Sequence, residues 1–327
     1  MKTKLYSRDD VEQQLDLDES LATVEKTYAE FASGRVLNPP KMTMHLGDDG
    51  EWPHMDAFSI DMPAYVGWLE TVGLKWAVAT WNVDSDVPIS SQILLFDPTD
   101  SRFKAVMEGM YLTGVRTALQ SVVGLKHLCP GTPSAIGVFG AGFQAEFQIS
   151  VIDYFHSIDD FYVFDIDGDR ARQFASELTP QTDADITVAT TATEAAEQDV
   201  VITATDSKSP VLEAAWLDDA AFVIALGSYQ ELPDEAIFGA DHVVVDQTEQ
   251  CLQRGALSDA VGRGELTATD IDATIGDILT DQYHRPLSRD DHILFVPIGL
   301  GALDISLAER LHQSRRESDM TAEFNFV

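Results

Sequence analysis

The chain has 327 residues, 45% of them hydrophobic, which is enough for two domains with substantial cores. Its net charge of −34, from 55 acidic and 21 basic residues spread along the chain as a solvated surface, repels nucleic acid and anionic membrane and excludes both as expected partners. No apolar run approaches the roughly 20 residues of a membrane span. The first ten residues lack a signal-peptide core, and Cys129 and Cys251 are too few for a disulfide framework, so the expected location is the cytoplasm.

Residues 8–33 read as one or two helices with Val11, Leu15, Leu21, Val24, Tyr28 and Phe31 as the apolar stripe. Strand-like pieces follow at 74–81 and 91–96, with turn residues at Asn38-Pro39-Pro40 and Asp97-Pro98, and a helix at 112–128. Strands and helices without regular alternation predict an α+β domain over 1–128.

From residue 129 the pattern changes. Residues 135–139 read as a short buried strand, and Phe143, Phe147, Val151 and Phe155 recur every fourth residue as a helix of about four turns. Between them lies the turn Gly140-Ala141-Gly142-Phe143-Gln144-Ala145. Gly140 allows the tight turn, Gly142 lets the backbone approach a pyrophosphate, and Ala145 lets the helix pack closely on the sheet. A second strand over 161–166 carries Asp165 at its C-terminal end, where a carboxylate accepts from both ribose hydroxyls of NAD and repels the 2′-phosphate of NADP. This is the fingerprint of a dinucleotide-binding unit, with NAD as the expected cofactor.

The alternation continues. Asp167 is placed to cap a helix with Ala171, Phe174, Ala175 and Leu178 on its apolar face, and further apolar runs lie at 185–190, 199–204, 221–226 and 242–246. The expectation is a Rossmann-type α/β domain over 129–300, with a parallel sheet covered on both faces. A final helix near 301–315 has no strand after it, so 301–327 is expected to rejoin the first domain. Loops at the carboxyl ends of parallel strands bind ligands, which makes Thr205, Ser207, Leu226 and Gly227 candidate cofactor contacts. The histidines are scattered without ligand spacing, and no metal site is expected.

Several segments together resemble the ornithine cyclodeaminase/mu-crystallin family. They are Gly140-Ala-Gly-Phe-Gln-Ala-Glu-Phe-Gln148, Asp165-Ile-Asp167, Val106-Met-Glu-Gly109 with Leu112-Thr-Gly-Val-Arg-Thr117, Gly73-Leu-Lys75, Pro40-Lys41 and Gly299-Leu-Gly-Ala-Leu-Asp304. The resemblance implies a homodimer formed through a shared sheet of the first domain. It implies NAD-dependent chemistry at the amino-bearing carbon of an amino acid: ornithine cyclodeamination to proline, or a net dehydrogenase, ketimine reductase or opine-type synthase reaction. A non-catalytic binding protein of the mu-crystallin kind is the further alternative.

It also implies roles. Lys41, Lys75 and Arg116 would grip the substrate carboxylate, with Lys75 and Asp304 near the reacting amine. Arg116, Thr117, Phe143 and Gln144 join Gly140, Gly142 and Asp165 on the cofactor side. A guanidinium fork matches a carboxylate, and a lysine inside an apolar strand would have its pKa lowered by desolvation. Asp304 could equally cap the last helix. One departure stands out: cyclodeaminases carry an aspartate in the loop where this chain runs Leu226-Gly-Ser-Tyr-Gln-Glu-Leu232, without a matching base. Ornithine specificity is therefore in doubt, and His45, Glu51, His54 and Asp84 are candidate replacements.

Overall fold

The computed structural model describes residues 2–47, 52, 57–80, 89–217, 222–314 and 322–325. The chain divides into two compact units: Met1–Arg116 with Leu300–Val327, and Thr117–Gly299.

The first unit opens with strand β1 (Thr3–Tyr6) and helices α1 (Arg8–Gln14) and α2 (Leu17–Ala32), each begun by a capping carboxylate or hydroxyl. Ser7 and Asp10 form a reciprocal capping box, and the Asp16 side chain accepts from Glu19 N. Strands β2 (Val36–Leu37), β3 (Met42–Leu46), β4 (Ala57–Val66), β5 (Thr71–Thr80), β6 (Ile89–Asp97) and β7 (Arg102–Glu108) follow. Among the described residues they form an eight-stranded mixed sheet in the order β16-β1-β7-β6-β5-β4-β2, with β3 on β4 and β16 spanning Ala322–Phe324. The β1–β7 pairing is parallel and the others are antiparallel.

Helix α3 (Met110–His127) carries the chain across the division between Arg116 and Thr117. The expected boundary lay at 128/129, after the helix; the compact units part inside it, because its first turns belong with the mixed sheet.

The second unit is a parallel sheet. Its strands are β8 (Ala135–Phe139), β9 (Asp160–Phe164), β10 (Asp185–Val188), β11 (Val200–Thr203), β12 (Phe222–Ala225), β13 (His242–Val245), β14 (Ala273–Thr274) and β15 (Ile293–Val296). They lie in the order β10-β9-β8-β11-β12-β15-β13-β14, all parallel. Between them run α4 (Phe143–Phe155), α5 (Gly168–Leu178), α6 (Ala192–Ala196), α7 (Asp234–Phe238), α8 (Thr248–Cys251), α9 (Ser258–Gly262) and α10 (Ile275–Leu279). Strands β11, β12, β13 and β15 are buried along their whole length, as a sheet covered on both faces requires. The order reverses between β8 and β11, which is the topological switch point of a doubly wound sheet.

The last helix, α11 (Gly301–Ser314), lies in the first unit against α2, β4, β5 and β6. Its close seat on β4 needs Gly301, where a Cβ would come within 2.8 Å of the Met62 carbonyl oxygen. No helix among the described residues is long and apolar enough to cross a membrane.

Candidate functional site

Strand β5 alternates, and the alternation decides where Lys75 points. Thr71, Gly73, Lys75 and Ala79 are buried, while Trp76 is exposed on the other face. Lys75 is only 4% exposed, so it belongs to the sheet face covered by α11, where Ile305 packs over Gly73. Its Nζ lies 3.6 Å from Asp304 Oδ1. Burial pushes the Lys75 amine down to about 8; Asp304 pulls the other way, and Arg116 reinforces the fall.

Arg116 comes from the second turn of α3 and is equally buried, its Nε donating to Asp304 Oδ1 at 3.1 Å. The Thr113 hydroxyl, one turn earlier on the same face, lies 3.3 Å from that oxygen and has a shorter bond, 2.6 Å, to the Gly109 carbonyl. Lys41 adds its charge to the Asp304 environment. Burial opposes ionisation of Asp304, but Arg116, Lys75 and Lys41 overcome it and hold the carboxyl below the usual aspartate value. Thus Oδ1 gathers two cations and a hydroxyl, while Oδ2 is buried with no hydrogen-bond partner.

Asp304 does not cap α11, which it could have done from its place after the glycine-rich turn. It sits one turn inside the helix, fully buried, and the helix start is held instead by Asn38 Oδ1, which accepts from Ala302 N at 2.9 Å. Of the suggested replacement bases, His45 is exposed on β3, and Glu51, His54 and Asp84 lie outside the described residues.

The second unit carries the glycine-rich turn. Gly140 has φ +103°, and a Cβ there would meet the Ala204 carbonyl oxygen at 2.7 Å, so both backbone and space demand glycine. Gly142 is the N-cap of α4 and makes no side-chain cap. Phe143 opens the helix, its ring half-exposed and packed on Phe147. Gln144 follows with a buried Oε1 that has no partner. A helix start without a side-chain cap presents backbone amides that can take a pyrophosphate.

Asp165 is the first residue beyond β9, whereas the expected strand 161–166 held it within its C-terminal end. The strand stops because the Asp165 carboxylate turns to local amides: Ala141 N at 2.9 Å and Asp167 N at 2.9 Å. This ties Asp165 to the glycine turn. Asp167 caps α5, accepting from Asp169 N and Arg170 N. Arg170, not among the expected site residues, reaches back to donate to the Ala141 carbonyl at 3.0 Å and lies 4.0 Å from Asp165. Its place in the first turn of a helix capped beside Asp165 was the available signal.

Thr205 and Gly227 follow β11 and β12, and both answer to Glu231. This carboxylate accepts from Thr203 Oγ1 (2.9 Å), Thr205 N (2.7 Å), Thr205 Oγ1 (2.5 Å) and Gly227 N (2.8 Å). Ser207 N donates to Thr205 Oγ1, and Leu226 N to the Thr203 carbonyl. Thr117 is buried on α3, in the second unit. Among the described residues no group of histidine, cysteine or carboxylates could hold a metal ion.

A doubly wound sheet with this turn, in a chain whose other, α+β unit holds a buried cation–carboxylate cluster, defines a two-unit protein of Rossmann type. The chain belongs to the ornithine cyclodeaminase/mu-crystallin family, whose description matches residues 1–319. It is 27% identical to the alanine dehydrogenase of Archaeoglobus fulgidus over 100% of this chain and 99% of that protein. An archaeal alanine dehydrogenase dimer solved with bound NAD superposes with a TM-score of 0.89 at 27% identity, covering 100% of both chains. The Thermococcus litoralis Δ1-pyrroline-2-carboxylate reductase, solved with NADH and L-proline, gives 0.88 at 25% identity over 95% of this chain and 97% of that one.

Proposed function

We propose that this chain is an NAD-dependent oxidoreductase that acts at the Cα–N bond of an amino acid, or of the matching imine, with net turnover of the cofactor. The observation that carries the reading is the half-used Asp304 carboxylate: one oxygen bonded by Arg116 and faced by Lys75 and Thr113, the other buried and unanswered. A buried acceptor in that state suits the N–H of an amine or iminium, while the cations beside it suit an α-carboxylate.

In this reading Arg116 and Lys41 orient the substrate through its carboxylate, and orientation contributes much of the acceleration. Asp304 holds the nitrogen. Lys75, with its amine near 8, passes between charged and neutral forms close to neutral pH, and in the neutral form takes a proton from the substrate ammonium. Gly140, Gly142, Phe143, Gln144, Asp165, Thr205, Ser207, Leu226 and Gly227 hold the dinucleotide, joined by Arg116 and Thr117. NAD supplies the redox chemistry when bound. Asp165 favours NAD over NADP, and the charge of Arg170, 4.0 Å away, works against that preference. In the oxidative direction an amino acid, NAD+ and water give a 2-oxo acid, ammonium, NADH and a proton.

Two named relatives, an alanine dehydrogenase and a pyrroline-carboxylate reductase, support net redox chemistry. Ornithine cyclodeamination has less support. Ser228, Tyr229 and Gln230 fill the loop where a base for a distal amine would be needed, and Glu231 is turned inward. The deciding assay incubates purified protein with NAD and single amino acids and follows NADH and ammonia together. NADH rising with ammonia is the expected result. Ammonia from ornithine without NADH would overturn net redox in favour of cyclodeamination, and neither product in either direction would favour a binding protein.

We further propose a homodimer through the β2/β3 side of the mixed sheet. Leu37, Met42 and Met44 lie exposed on those strands, an apolar border that an isolated sheet would not present to water. Light scattering of the purified protein checks this, with twice the chain mass expected.

A further inference from the structure

Burying an ionised carboxylate is costly, and an apolar residue would fill the same space without that cost. Glu231 is nevertheless fully buried, and its two oxygens are divided between two loops. Oε1 takes the amide and hydroxyl of Thr205, after β11; Oε2 takes Thr203 Oγ1 at the end of β11 and the Gly227 amide, after β12. The fit is close, since a Cβ on Gly227 would run into this carboxylate. Four donors converge on a group that only accepts, and a glutamine would turn an NH2 toward at least one of them.

The topology says what these loops serve. A dinucleotide crosses the switch point between β8 and β11, with its pyrophosphate on the turn after β8. Asp165, after β9, fixes the adenosine ribose on one side. The other half of the cofactor must then lie over β11 and β12, where Glu231 joins the two loops.

We propose that Glu231 is a positioning residue that joins the loops after β11 and β12 into one preformed seat for the nicotinamide half of the cofactor, without itself touching it. The assignment rests on the cofactor reading above. It also gives a reason for a glutamate in a loop that lacks a substrate base.

The test compares NADH with ADP, which reaches only the adenosine and pyrophosphate positions, in titrations of the full chain. Glu231→Gln is expected to weaken NADH by about tenfold or more while changing ADP by less than about twofold, since charge-assisted bonds are lost on one side only. Thr203→Val removes a single donor without changing side-chain shape; a loss of about threefold for NADH, with ADP unchanged, is expected. It carries the test if the glutamine variant does not fold. Equal losses for NADH and ADP, or unchanged NADH binding in both variants, would overturn the assignment. Failure of the unaltered protein to bind NADH, seen before any variant is made, would remove the cofactor reading and this inference with it.

Discussion

Around Asp304 the polar chemistry is made of side chains drawn from β5, α3 and α11 and sealed from solvent, whereas the turn after β8 works with backbone amides beside one aspartate at the rim of a sheet. The first arrangement stores charge. Lys75, Arg116 and Asp304 are each about 5% exposed or less, and the charges of Lys75 and Asp304 each shift the other's proton affinity. The second stores geometry: Gly140 at positive φ, Gly142 at a helix start, and Asp165 bonded to the same turn. The difference teaches that damage to the two regions should be separable, in turnover for the first and in cofactor affinity and choice for the second.

The largest effect should come from Lys75→Met, which removes a buried cation of similar length. Turnover should fall by about 10²- to 10⁴-fold while NADH binding holds, as measured by steady-state rates and fluorescence titration. Similar losses in both would erase the distinction. Next is pH. If neutral Lys75 is the base, the oxidative rate should climb about tenfold per unit below pH 8 and level off above it. Stability follows from the same shift: the folded chain binds fewer protons at Lys75 than the unfolded chain between about 8 and 10.5, so this residue's contribution rises with pH across that window.

A smaller change is expected from Asp165→Ala. Losing the carboxylate and leaving Arg170 should reduce NAD affinity and improve NADP use, narrowing the preference by about tenfold in the ratio of kcat/KM values. An unchanged ratio would mean that the ribose is held elsewhere. The smallest effect concerns neither site alone. With a net charge of −34, self-repulsion should relax as the screening length falls from about 10 Å at 0.1 M salt to about 3 Å at 1 M, raising the melting temperature by a few degrees. A flat melting temperature across that range would show that the acidic surface is already neutralised in effect.

What could be read from the sequence follows the same division. The dinucleotide turn is local: strand, glycines, helix period and aspartate lie within 135–165, so spacing alone exposes it, and the helix Phe143–Phe155 has the expected bounds. The cluster at Asp304 joins positions far apart in the chain, and only resemblance brought 41, 75, 116 and 304 together in advance. The alternation on β5 held the clue that Lys75 faces inward, because Gly73 and Thr71 share its side. Strands β4 and β7 escaped notice: Asp61 and Pro63 interrupt the apolar pattern of one, and Arg102 and Lys104 that of the other. Both are nonetheless held by antiparallel neighbours. Glu231 was legible as a glutamate but not as a clamp, since its four donors come from two loops that only the parallel sheet sets side by side.

The proposed function assigns amino-acid chemistry to the Asp304 cluster and cofactor binding to the turn and loops of the parallel sheet. It is tested most directly by titrating Asp304→Asn with NADH and measuring its turnover on the best substrate. An NADH dissociation constant within about twofold of the unaltered protein is expected, with turnover reduced by about a hundredfold or more. NADH affinity falling in step with turnover, or turnover surviving the substitution, would contradict it.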